Sequence, residues 1–327
     1  MKSVQVIISD THFGKKNNSQ VWLESQMRFF NNTLIPKLKK LKEEYNVTLI
    51  HCGDLFDSRT SINPYIYHVV NNLITKLCQC VNQFVIIAGN HDFNSQVEDE
   101  SYNINSLDML HYNEKCFIIT NESVYNDLHK ISFIPWFEFH NIDKLKKHMN
   151  EYNPKMIFTH TDLEHLDSDT KAIIGDIPVF SGHIHIPRLC DNTLNLGSVF
   201  YNDFSDSNSE RGYYIMSDWC VKFLKFFPNH DSLRFWRIHN EEILNNDYPM
   251  KDGDPVEIYI DKELRNKDEY VSALVEYKTN YKCREIVTSS EQVNEVVDTK
   301  EWDLNSMIEN EIPDYLKEKF NKISKKL

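Results

Sequence analysis

Short apolar runs recur through the first two thirds of the chain, and each closes on a polar cluster: VQVIISD at 4 to 10, VTLIHCGD at 47 to 54, FVIIAGNHD at 84 to 92, KMIFTH at 155 to 160 and IPVFSGH at 177 to 183. Runs of this length, apolar at consecutive positions and bounded by turn residues, predict buried strands. Helical stretches separate the first three. Gln20 to Tyr45 sets Leu34, Leu38 and Leu41 at helical spacing, and Pro64 to Cys80 opens with proline where a first turn accepts it. Strand, helix, strand at intervals of roughly 30 residues or more is the βαβ unit, with parallel strands in one sheet and helices on its faces. Every polar cluster then falls at the carboxyl end of a strand, the edge where α/β sheets bind ligands.

From Thr193 the pattern changes. NLGSVF, GYYIMSDW and VKFLKFFP are closely spaced β runs with no helix between them, which predicts a second, more antiparallel sheet. After the loop NNDYPMKDGDP, the order VEIYID, a helix over Lys267 to Lys278, and CREIVTSS predicts a small β-α-β module. The tail from Trp302 reads as a polar-rich helix. Within Met307 to Leu327, the residues Leu316, Phe320, Ile323 and Leu327 make one apolar stripe, and the closing lysines suit the negative end of a helix dipole. That stripe needs a cover, either the chain's own small module or a partner, and Pro313 would let the tail stand apart.

Length and composition narrow the class. A chain of 327 residues can bury a large core in one or two domains. No run of about 18 apolar residues is present to span a bilayer. The opening MKSVQVIISD reaches an acidic residue too soon for a secretory signal, so a cytoplasmic setting is expected. The formal charge of −13 excludes a general nucleic-acid coat protein. Seven scattered cysteines (Cys52, Cys78, Cys80, Cys116, Cys190, Cys220 and Cys283) with no CxxC pair suit free thiols better than a disulfide frame.

The chemistry gathers where the strands end. Only 8 residues are glycine, yet Gly53 precedes Asp54, Gly89 precedes Asn90 and Gly182 precedes His183. Collected from the same ends are Asp10 and His12 (SDTH), Asp54 and Asp57 (GDLFD), Asn90 and His91 (GNHD), His160 (FTH), and His183 with His185 (GHIH). Carboxylate, amide and imidazole together suit borderline to hard divalent ions such as Mn, Fe or Zn. There are donors enough for two ions, the arrangement that hydrolyses phosphoesters. His51, two residues before Gly53, reads as structural, and TDLEHLDSDT after His160 matches no pattern.

In that order and spacing the five motifs resemble those of the calcineurin-like metallophosphoesterases, over about residues 4 to 190. GDLFDSRTS, the segment Ile134 to Trp136 and GSVFYNDFSDSNSERGYYIM further resemble the SbcD-type DNA repair and recombination nucleases, among them those of T-even-like phages. The resemblance implies an α/β fold, a four-layer β-sandwich flanked by helices, with a small α+β capping domain. It implies a nuclease domain over 1–240, a cap over 250–298 and a partner-binding tail over 301–327. By position, it assigns Asp10, His12, Asp54 and His185 to one metal, and Asp54, Asn90, His160 and His183 to a second, with manganese the expected ion. His91 would protonate the leaving oxygen while Asp57 holds its imidazole. The implied partners are DNA and an SbcC-like SMC-type ATPase, with a homodimer inside a heterotetramer in the cytoplasm of the cell, or of the host if the chain is phage-encoded.

Other readings share these motifs. A phosphatase or small-molecule phosphodiesterase would use the same donors. A catalytically inactive scaffold is a third reading, although binding protein alone gives no reason to keep Asn90 and His91 together.

Overall fold

The computed structural model of the chain describes residues 2–93, 105–110, 113–190, 192–207, 210–245 and 248–288. The first runs form strands where expected. β1 (Ser3–Ile8), β2 (Asn46–Cys52), β3 (Gln83–Ile87) and β4 (Cys116–Ile119) pair in parallel in that order. Side chains alternate across this sheet. Val4, Val6 and Ile8 pack with Phe29, Leu34 and Leu38 and with Val70, Leu73 and Leu77 of the flanking helices, whereas Ile7 faces the opposite side. Pro64–Cys80 is a single helix whose start is capped by Asn63, its side chain accepting from the Tyr65 N–H at 2.9 Å. The earlier stretch is less regular, α-helical over Gln20–Phe29, a π turn over Phe30–Leu34, then α-helical over Ile35–Lys42. Pro36, with no N–H to return to the carbonyl four residues back, sits just beyond the wide turn.

The second sheet comprises β5 (Val124–Asn126), β6 (Ile131–Phe133), β7 (Met156–His160), β8 (Val179–Gly182), β9 (Arg188–Cys190) and β10 (Thr193–Asn195), in the order β5-β6-β7-β8-β10-β9. Phe133, Phe158 and Phe180 on its inner face meet Ile7, Ile50, Val85 and Ile87 of the first sheet. On its outer face, Ile157 and Val179 pack with Leu145, Met149 and Ile174 from the helices Ile142–Tyr152 and Ser168–Ile174. Helix, sheet, sheet, helix is the four-layer α/β sandwich.

The runs after Thr193 do not form a sheet of their own. β10 joins the second sheet, while β11 (Gly212–Ser217) and β12 (Cys220–Pro228) return to the first, β11 antiparallel to β1. Close spacing predicted the antiparallel hairpin but not its partner. Tyr214 and Met216 extend the inter-sheet core at the open edge of β1, a long-range gain that local pattern does not carry. Most of NLGSVF is loop, since β10 ends at Asn195.

A third sheet joins β13 (Trp236–His239), β14 (Pro255–Asp261) and β15 (Lys282–Thr288), all parallel. The helix Asp268–Asn280 covers one face through Tyr270 and Leu274, against Ile238, Val256, Ile258 and Ile260. This is the expected small module with one more strand, drawn from before residue 240. The cap's last residues and the whole tail 301–327, with its stripe, lie outside the described residues. Among the described residues Cys52, Cys78, Cys80, Cys116, Cys220 and Cys283 are free thiols, and no helix is long and apolar enough to cross a membrane.

Candidate metal centre

The carboxyl ends of β1, β2, β3, β7 and β8 meet at one edge of the sandwich. Just beyond the strands the backbone turns sharply. Asp10, His12, Asp54 and His183 have φ of 51°, 45°, 56° and 82°, left-handed conformations at residues with a Cβ. Such positions cost on the order of 1 to 3 kcal/mol each and persist where the surroundings over-determine them. Close approach does the rest. A Cβ on Gly53 (φ 88°) would lie 2.1 Å from His160 Nδ1, and one on Gly182 would lie 2.1 Å from Ser9 Oγ.

Two donor groups result. In one, Asp10, His12 and His185 converge, with His12 Nε2 3.1 Å from His185 Nε2 and 3.8 Å from Asp10 Oδ1. In the other, Asn90 Oδ1 lies 3.0 Å from both His160 Nε2 and His183 Nδ1, and His160 Nε2 lies 3.3 Å from Asp54 Oδ1. Asp54 stands between them, its other oxygen 3.7 Å from His12 Nε2. Neighbouring donors around an ion with bonds of about 2.1 Å are roughly 3 Å apart, so these separations and this donor set fit divalent ions. A third, overlapping group contains His12, Asp54 and His91.

A model of the calcineurin-like phosphoesterase family matches residues 5–221. The chain belongs to that family. It is therefore a metal-dependent hydrolase of phosphoesters, and the strand-end donors are its candidate metal-binding residues. Among solved structures, the Pseudomonas putida nuclease MPE is similar over 68% of this chain and 87% of its own, at 18% identity and a TM-score of 0.30. No curated protein sequence gives a significant match.

Hydrogen-bond partners orient the donors. His160 Nδ1 donates to the Cys52 carbonyl at 2.8 Å, which turns Nε2 toward Asp54 and Asn90. His12 presents Nε2 to the centre while its Nδ1 faces the Asp57 carboxylate at 3.4 Å. Asp57 was expected to hold His91 with its carboxylate. It does so with its main-chain carbonyl instead, which accepts from His91 Nδ1 at 2.6 Å, because the carboxylate is turned toward His12. The His91 main-chain N–H also donates to Asp54 Oδ1 at 2.8 Å, so the backbone is tied to Asp54 and the ring to Asp57.

Charge is distributed unevenly. Burial pushes Asp10 up to about 7, against the favourable charge of His160. Burial would raise Asp54 too, but the charge and hydrogen bond of His160 hold it well below the usual carboxylate range. His160 is pushed up to about 9, its own burial being outweighed by Asp54. Burial keeps His12 far below its ordinary value and lowers His185 to about 4, so both rings are neutral and free to ligate near pH 7.

Two positioning residues were not assigned from sequence. Asp92, in GNHD, is buried and accepts from the N–H groups of Asp54 at 3.0 Å and Gly89 at 2.9 Å, tying the second and third motifs together. The Asn202 side-chain amide lies 2.9 Å from His185 Nδ1, and the Asn202 N–H donates to Asp206, itself paired at 2.6 Å with the fully buried Arg211. Both stand inside quoted motifs, but only the tertiary contact reveals their use. His51 is structural as expected, buried with Nε2 2.9 Å from Thr11 Oγ1.

Proposed function

We propose that the chain is a two-metal DNA nuclease that hydrolyses phosphodiester bonds in double-strand-break processing and recombination. The observation that carries the two-metal reading is Asp54, one oxygen toward His12 and the other toward His160. Two divalent ions held by Asp10, His12 and His185 on one side and by Asn90, His160 and His183 on the other would supply positive charge to the phosphoester oxygens. Manganese is the ion we assign. His91 acts on the leaving oxygen. As hydroxide adds to phosphorus and the bond to the 3′ or 5′ oxygen breaks, His91, its Nδ1–H fixed on the Asp57 carbonyl, passes its Nε2 proton to that leaving oxygen. The choice of DNA rests on the likeness of GDLFDSRTS and of GSVFYNDFSDSNSERGYYIM to SbcD-type nucleases, and with it goes an SbcC-like ATPase partner gripped by the tail 301–327. Incubation with manganese and, in turn, DNA, a nitrophenyl phosphodiester and a nitrophenyl monoester tests this. Cleavage of the DNA and the diester is expected, and a preference for the monoester would instead make the chain a phosphatase. Removing residues 301–327 should leave cleavage intact and abolish co-purification with the ATPase.

A further inference from the structure

A cleft of about 680 Å³ opens beside the loop that follows Asn202, along the β13 edge of the third sheet. Small-ligand sites span roughly 300 to 1,000 Å³. Its walls combine cations with flat rings. Arg234 lies over the Trp236 ring at 4.4 Å, and His239 and Tyr259 stack across adjacent parallel strands with centroids 4.8 Å apart and planes 18° from parallel. Tyr248 stands edge-on to Trp236, and Ser207 closes the side nearest the metal centre.

A relay of contacts links the cleft to the centre. Ser207 adjoins Asp206, which accepts from the Asn202 N–H, and Asn202 meets His185. On the other side, the turn after the first motif bears Lys15 and Lys16. Lys16, Asn17 and Asn18 all have left-handed φ, of 54°, 57° and 59°, an unusual run without glycine. Lys15 interacts with Asp57, Asp203 and Asp206, and Lys16 lies over Phe235, the neighbour of Arg234, at 5.9 Å. Lys15 is thus set among carboxylates near the donors, and Lys16 beside the strand that carries the rings.

We propose that this cleft binds one unpaired nucleotide of a single DNA strand emerging from the metal centre, its base stacked against the His239–Tyr259 pair and its phosphate on Arg234. Stacking on an aromatic platform with arginine beside it is the usual way single strands are held without regard to sequence. Arg237 is held by the buried Glu257 at 3.2 Å, whereas the carboxylate that meets Arg234, Glu210, also at 3.2 Å, is exposed and screened by solvent, so an arriving phosphate can displace it. The inference rests on the nuclease reading.

The test uses the full chain with His239→Ala, Tyr259→Ala and Arg234→Gln. Binding of a fluorescent oligothymidylate in EDTA is read by anisotropy, and the rate ratio of single-stranded DNA to nitrophenyl diester is read with manganese. Affinity should weaken about 10-fold in each variant, the scale of one lost base stack, and the rate ratio should fall with it. Wild-type affinity and ratio in all three variants would overturn the cleft alone. An equal fall on both substrates would make these residues structural and also overturn it. A wild-type chain that hydrolyses the diester but neither binds nor cuts DNA would remove the nuclease reading itself.

Discussion

At the metal centre Asp10, Asp54 and His160 are at most 2% exposed, and donors sit on left-handed backbone. At the cleft His239 is exposed, on extended backbone at the end of a regular strand. Each donor of the centre touches several others, so one change alters the whole group. The rings and cations of the cleft act nearly in parallel and should add modest increments. The centre is a device of coupled parts, the cleft one of separable parts.

The sharpest way to break this contrast is the bridge. Asp54→Asn weakens a charged donor to both groups and removes the charge that holds His160, so metal content and hydrolysis should fall together, by about 10³ or more in rate, several kcal/mol of charge stabilisation. Two metals retained per chain at near-normal rate, by elemental analysis and diester hydrolysis, would show the donors to be separable after all. His91→Ala should be milder, losing on the order of 10² in rate while keeping its metals. Loss of metal in that variant would place His91 among the ligands, as its nearness to His12 and Asp54 allows.

Smaller still is the effect of a residue that acts through another. Asn202→Ala should weaken metal binding about 10- to 100-fold, the usual cost of removing a partner that orients a ligand, with metal restoring the rate at high concentration. A fall in rate that saturating metal does not repair would give Asn202 a direct role.

These three residues also mark what the chain discloses before it is folded. Asp54 and His91 are legible because each sits at a strand end in a motif whose glycine and polar spacing announce a turn with a ligand. Asn202 is not, because its work is a contact with His185 across a loop whose β-like pattern, NLGSVF, hides its irregular backbone. The same limit applied to β11: a hairpin was visible, while its place beside β1 depended on core packing between distant segments. For the third sheet, VEIYID and CREIVTSS stand out as strands, but Trp236–His239 is short and falls within 1–240, the stretch expected to form the larger domain.

Acidity separates the two regions by the smallest and most graded effect. In the metal-free chain His160 is pushed up to about 9 by Asp54, and Asp10 up to about 7 by burial. Both groups therefore carry protons favoured by the fold: His160 below about pH 9 and Asp10 below about pH 7. An ion must displace them, so binding releases protons and its apparent affinity drops as pH falls, by about 10-fold per unit for each proton displaced. One proton is at stake between pH 7 and 9, and a second joins below pH 7, so the slope should steepen there. Titration calorimetry with manganese across pH 6 to 9, repeated in buffers of different ionisation enthalpy, measures both the affinity and the protons released. Oligothymidylate binding in EDTA draws on none of Asp10, Asp54 and His160, so its dependence on pH should not parallel that of the metal. A flat manganese affinity would mean that the donors hold their geometry without the Asp54–His160 proton, and the strong coupling ascribed to the centre would have to come from its backbone alone.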